Sequence, residues 1–325
     1  MEKNNTLEFL KFFAALLITN SHFGIFYGKY SFFATGGAIG DSLFFFCSGF
    51  ALSLSKFDRF DNWYKRRIFR IYPSIIAKDL LLCLSASYCF NSINHIINGG
   101  GWFLKAIMLF YIIIYFQASF LFKWLNSILI ISIIFIITAS LFFVNNMETL
   151  YSSSSYFAWC TYFTTMLLGL ALGKKQVTKD NSKLSIDLVL FFSSVVVYYG
   201  ILFLCKINLF PIHFGILSIL PLYGILISLY KICKIPYFKS IVENRFGVIV
   251  IFISTLCWEI YLAQIYIILP NAEVYNRILP FPSNIIIAFL SIIAAAYLIK
   301  ILSKLLIQLF IRGNFDWRFI VETWK

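Results

Sequence analysis

Long apolar runs recur along this chain, and short polar stretches separate them. A membrane helix needs about 20 mainly apolar residues. By that criterion about ten segments qualify: 6–27, 31–54, 71–90, 101–122, 126–144, 155–173, 185–205, 211–231, 247–269 and 283–309. These Ile-, Leu- and Phe-rich runs lack the two-residue alternation of a membrane barrel. The short gap between 101–122 and 126–144 predicts a helical hairpin. The expected fold is all-α: a polytopic integral membrane protein of about ten transmembrane helices. Residues 1–325 form one transmembrane domain in this reading, with no soluble domain placed anywhere.

Composition agrees with the pattern. Hydrophobic residues make up 61% of the 325 and charged residues 13%. A soluble globule of this size has too much surface to cover with so few charges. A soluble enzyme, a disordered chain and a nucleic-acid-binding domain are excluded. The seven Cys lie scattered through apolar stretches, without metal-ligand spacing or a disulfide framework. The first apolar run holds Lys11 and His22, and reads as a membrane helix rather than a cleavable signal.

The net charge of +13 needs its own account. Lys and Arg collect on cytoplasmic loops and set orientation. Alternate connections carry about 21 and about 3 basic residues by this count, and three more, Lys11, Lys78 and Lys105, fall inside spans. With an even number of helices, both termini are expected on the cytoplasmic side.

Ionisable groups inside a bilayer are costly, so each is a functional candidate. The first helix carries Glu8, Lys11 and His22, the second Asp41, the fourth Lys105 and the ninth Glu259. Lys11 and His22 are eleven residues apart, which puts them within about 20° on one helix face and about 16 Å apart along it. A lysine that snorkels to the headgroups and a histidine hydrogen-bonded to a neighbouring helix would also explain both. Asp41 opens the stretch Asp41-Ser-Leu-Phe-Phe-Phe-Cys-Ser48-Gly49-Phe50, where Gly49 permits a close helix approach. Lys56, Arg59, Lys65, Arg66, Arg67 and Arg70 crowd the first cytoplasmic connection. Arg67 and Arg70, three apart, would share a helix face able to hold phosphate. A belt holding anionic lipid would look the same.

Together these features resemble acyltransferase family 3, a family of ten-helix membrane proteins. In that family a basic residue precedes a His by eleven positions on the first helix, as Lys11 precedes His22 here. Its second helix carries an acid and a Phe-Phe…Ser-Gly-Phe pattern, matched by Asp41, Phe44, Phe45, Ser48, Gly49 and Phe50. Arg67, Arg70 and Pro73 match its Arg-x-x-Arg, and Trp102-Phe103-Leu104…Tyr111 its fourth-helix stretch. Ser254…Ile260-Tyr261-Leu262 matches its ninth-helix segment. Two positions depart from it: Lys11 stands where Arg is usual, and Gln264 where His is frequent.

The resemblance implies transfer of an acetyl group from cytoplasmic acetyl-CoA to a hydroxyl of a surface glycan or its lipid-linked precursor. Acetyl-CoA would be a co-substrate, with no cofactor tightly bound and no metal. His22 would be the catalytic base or carry the acetyl group, with Asp41 or Glu259 orienting it. Lys11, Arg66, Arg67 and Arg70 would hold CoA; Ser48 and Trp102 would face the acceptor. His95 and His213 are read as structural. The expected place is a bacterial plasma membrane. The competing readings are a polyprenyl-sugar flippase or other transporter, which commonly shows repeat-related halves not found here, and a membrane sensor without turnover.

Overall fold

The computed structural model describes residues 4–84, 99–143, 155–174, 183–311, 316 and 319–320. Among them the chain is helical, with no strand. In a bilayer, backbone N–H and C=O groups must find partners within the protein, and a helix pairs its own. The helices are α1 (Asn5–His22), α2 (Gly24–Tyr27), α3 (Gly37–Ser53), α4 (Phe60–Leu84), α5 (Gly101–Leu121), α6 (Leu125–Phe143) and α7 (Tyr156–Lys174). They continue with α8 (Leu184–Lys206), α9 (Ile219–Lys234), α10 (Pro236–Glu243), α11 (Arg245–Thr255), α12 (Cys257–Ala263), α13 (Ala272–Ile278) and α14 (Ser283–Ile311).

Among the described residues, five helical segments are long and apolar enough to cross a membrane, and up to seven if each bent pair is one span, against the roughly ten expected. The hairpin predicted at 101–144 appears as α5 and α6, joined by the short 3-10 turn Phe122–Trp124. The expected first and ninth spans are both broken. α1 and the segment Gly24–Phe33 bend by 57°, and α11 and Cys257–Ile278 bend by 59°. The expected span 71–90 differs more. Its helix, α4, starts at Phe60, so Lys65, Arg66, Arg67 and Arg70, read as part of a loop, lie on its first turns, while Lys56 and Arg59 precede it. Trp63, Ile71 and Ile75 give that helix its buried side.

The described chain divides into two compact units interleaved in sequence. The first holds residues 1–10, 41–60 and 106–241; the second holds 11–40, 61–105 and 242–325. Small residues set the packing of the first unit. A Cβ added to Gly49 of α3 would collide with the Met166 carbonyl of α7. One added to Gly169 would collide with the Phe46 carbonyl, and one added to Gly173 with Ser53. Gly169 and Gly173 thus form a small-xxx-small face that lets two backbones touch. Phe45, Phe46 and Phe50, all buried, fill the space beside this seam.

In the second unit, Gly37 and Gly40 bring the start of α3 against Ser21, Ile18 and Ala14 of α1. Gly36 makes the turn that permits this, at a φ of 96°, a left-handed value suited to glycine. Further along, the π turn Gln264–Ile268 interrupts the helix after α12, with the Leu269 N–H reaching the Gln264 carbonyl.

Candidate functional site

Lys11 and His22 lie on α1 as the spacing predicts, in the second unit. Lys11 is half-buried. His22 is the last residue of α1 and is exposed. The chain turns at Phe23, itself buried, and the next helical segment departs at 57°. An imidazole at a helix break is accessible in a way that one inside a continuous span is not. Neutral imidazole can accept a proton at one nitrogen while the other donates, as a general base requires.

The basic cluster differs from expectation in which arginines share the open face. Arg66 and Arg70 are exposed and four residues apart on α4, hence neighbours on one side. Arg67 is half-buried, with its guanidinium 4.8 Å from the centre of the Trp63 ring. Trp63 is fully buried. Arg67 is therefore committed to a cation–π stack that fastens the start of α4, while Arg66 and Arg70 face outward.

Deeper along α4 the second unit carries polar groups that the apolar pattern hid. Glu259 of α12 is buried. Its Oε1 accepts from Ser74 Oγ at 2.7 Å and from Lys300 Nζ at 3.0 Å. Its Oε2 has no hydrogen-bond partner among the described residues. Lys300 reaches it from α14 and is itself a quarter exposed. One turn beyond Ser74, Lys78 is completely buried and ion-paired to Asp79 at 2.7 Å. Lys78 also donates to the Gly99 carbonyl at 2.9 Å and lies 4.0 Å from the centre of the Tyr266 ring. Two ion pairs thus stand inside this unit, each balanced in charge, as the low-dielectric interior requires.

Aromatic rings fill the space beside them. Trp258 stacks on Tyr261 at 5.5 Å, Phe103 lies 5.3 Å from Tyr261, and the Trp258 indole donates to the Ile71 carbonyl. Trp102 is half-buried, with its ring 5.6 Å from that of Phe103.

Asp41 and Ser48 belong to the first unit. The Asp41 carboxylate is hydrogen-bonded to the Tyr162 side chain of α7. Thr164 of the same helix accepts a hydrogen bond from the Tyr223 hydroxyl of α9. Ser48 is half-buried on α3, next to the Gly49 contact, so this part of the motif lies at a packing seam. His213 is half-buried in a 3-10 segment. His95 lies outside the described residues.

Ser74, Lys78, Asp79, Tyr162 and Lys300 were not singled out by sequence reasoning. The adjacent charges at 78 and 79, inside an apolar run, were the available signal. Ser74 and Lys300 gave none, because their partner is 185 and 41 residues away.

Neither a curated protein nor a solved structure matches the chain. A family model described as an acyltransferase domain matches residues 4–301, nearly the whole length. That span contains the Lys11–His22 face, the α4 arginines and Glu259. The chain is a multi-pass membrane protein and belongs to acyltransferase family 3.

Proposed function

We propose that this acyltransferase moves an acetyl group from cytoplasmic acetyl-CoA to a hydroxyl of a cell-surface polysaccharide or its lipid-linked precursor, in a bacterial plasma membrane. The observation that carries the reading is the exposed imidazole of His22 at the break after α1. It shares a helix face with Lys11, about 16 Å away along the axis. Family membership supplies the acyl-transfer class.

In the proposed reaction His22 accepts the proton of the acceptor hydroxyl. The hydroxyl oxygen attacks the thioester carbonyl, the C–S bond breaks, and the proton passes to the departing thiolate of CoA. Arg66 and Arg70, exposed on one face of α4, would hold the phosphates of CoA. Arg67 would support them through its stack on Trp63. Lys11 lies on α1 between the start of the helix and His22, where it would favour an anionic donor. Trp102 would meet the acceptor. Asp41 and Glu259 would act as fixed carboxylates, Asp41 holding Tyr162 and Glu259 holding Lys300 and Ser74.

The test is mass analysis of surface glycan from cells with the protein, without it, and with His22→Ala. Loss of one acetyl mass per repeat in the last two identifies both reaction and acceptor. Unchanged acetylation with His22→Ala at normal protein level rejects the proposed base.

A further inference from the structure

The segment that follows His22 is held by three asparagines to which no role has been given. Asn20, two residues before His22, uses its side chain on both limbs of the bend. Its Nδ2 donates to the Phe33 carbonyl at 2.8 Å and to the Thr35 carbonyl at 3.0 Å. Its Oδ1 accepts from the Tyr27 hydroxyl at 2.7 Å. From the far end of the chain, Asn276 donates to the Ile25 carbonyl at 2.9 Å. Asn284, buried, donates to the Phe26 carbonyl at 2.8 Å and to Asn276 Oδ1 at 2.8 Å.

The chemistry of the break explains the choice of residue. The last carbonyls of a helix have no donor within it. α2 ends at Tyr27, so Ile25 and Phe26 carry such carbonyls. Where packing keeps water away, a carbonyl without a donor is costly. Asn supplies neutral N–H donors on a short side chain, and its oxygen can accept in the same geometry. Lysine or arginine would donate too, but would add a charge beside His22.

We infer that Asn20, Asn276 and Asn284 are positioning residues for His22. This inference rests on the reading of His22 as the catalytic base. Their carboxamides replace the helix bonds lost at the break and lock the hairpin 23–35. The backbone of His22 is thereby fixed between α1 and that hairpin. A shift of about 1 Å in a reacting group can cost about a hundredfold in rate, so a loosened hairpin slows the chemical step while the α4 arginines go on binding CoA.

The experiment compares wild type with Asn284→Ala, Asn20→Ala and Tyr27→Phe, each purified as full chain in bilayer nanodiscs. One arm measures radiolabelled acetyl transfer to envelope acceptor in membranes. The other measures carbethoxylation of His22 by diethyl pyrocarbonate, read by peptide mass against His213 in the same molecule. The two asparagine variants are expected to lower turnover about tenfold with the KM for acetyl-CoA unchanged. The His22-to-His213 reactivity ratio should shift by about threefold or more, because the accessible positions of the imidazole change. Tyr27→Phe, which removes one of Asn20's three bonds, should shift both in the same direction by less. An unchanged ratio in both alanine variants overturns the inference, as does a fall in turnover matched by equal changes at His22 and His213. If wild type transfers no acetyl group, the functional reading fails, and the reactivity arm still judges the clamp.

Discussion

In the first unit, polar side chains mostly turn back on their own helices. Ser53, Thr165 and Ser228 donate to carbonyls three or four residues earlier, and close glycine contacts join α3 to α7. In the second unit, polar side chains reach between distant segments. Lys300 and Ser74 converge on Glu259, Lys78 holds Gly99, and Asn276 and Asn284 hold the bend after His22. Both helix breaks, at Phe23 and at Leu256, also lie in this unit. Helix breaks and buried charges are costly in a bilayer and persist where something over-determines them. On the proposed function, His22 and the α4 arginines fall in the second unit, the one richer in contacts between distant segments.

The largest expected effect follows from His22. Its replacement by Ala should lower acetyl transfer by about a hundredfold to ten-thousandfold, the usual worth of a positioned base. The folded yield should not change, since the side chain is exposed. A base located in the first unit instead would leave transfer intact.

Next in size is the Glu259 ion pair. Removing one partner of a buried pair leaves a charge without compensation, at about 3–5 kcal/mol. Lys300 is a quarter exposed, so the lower end, about 3 kcal/mol, applies to Glu259→Leu. The double replacement Glu259→Leu with Lys300→Met should recover most of the lost thermal stability. If it also recovers transfer, the pair only holds α12 to α14. If stability returns without transfer, Glu259 serves the reaction as well.

These two effects separate what was legible in the sequence from what was not. The apolar runs predicted helices where helices lie, and Lys11 and His22 share α1 as their spacing required. The bend after His22 was not legible, because Gly24 alone does not mark a break, and the Asn contacts that stabilise it come from 251 and 258 residues away. The break at Leu256 has no glycine or proline beside it. α4 was placed too late because a hydropathy window penalises an amphipathic start, although Trp63 and Arg67 stand four apart as a helical pair should. The partner of Asp41 could not be read either, since Tyr162 is one of 19 Tyr in the chain.

A smaller effect tests the first unit as scaffold. Gly169→Ala inserts a methyl where the Phe46 carbonyl lies. Overpacking of this kind typically costs about 1–3 kcal/mol. Thermal unfolding in detergent should show the loss, and the protein that remains folded should keep its KM for acetyl-CoA. A changed KM at unchanged stability would place donor binding on the α3–α7 seam.

The smallest effect distinguishes arginines that the motif treats as equals. Arg66 and Arg70 are exposed on one face of α4, whereas Arg67 is held against Trp63. An exposed charge contributes little to stability, so Arg70→Ala should leave the unfolding temperature alone. It should weaken CoA binding by about fivefold, as loss of one solvent-exposed phosphate contact near 1 kcal/mol predicts. Arg67→Ala should do the reverse, lowering stability through the lost stack while CoA affinity falls less. Arg67→Lys sharpens the comparison further. Lysine keeps the charge but loses the planar face that lies on the indole. If Lys at 67 restores CoA affinity without restoring stability, the residue acts on the donor by charge alone. If it restores neither, the stack on Trp63 is what places the start of α4, and the exposed arginines depend on it.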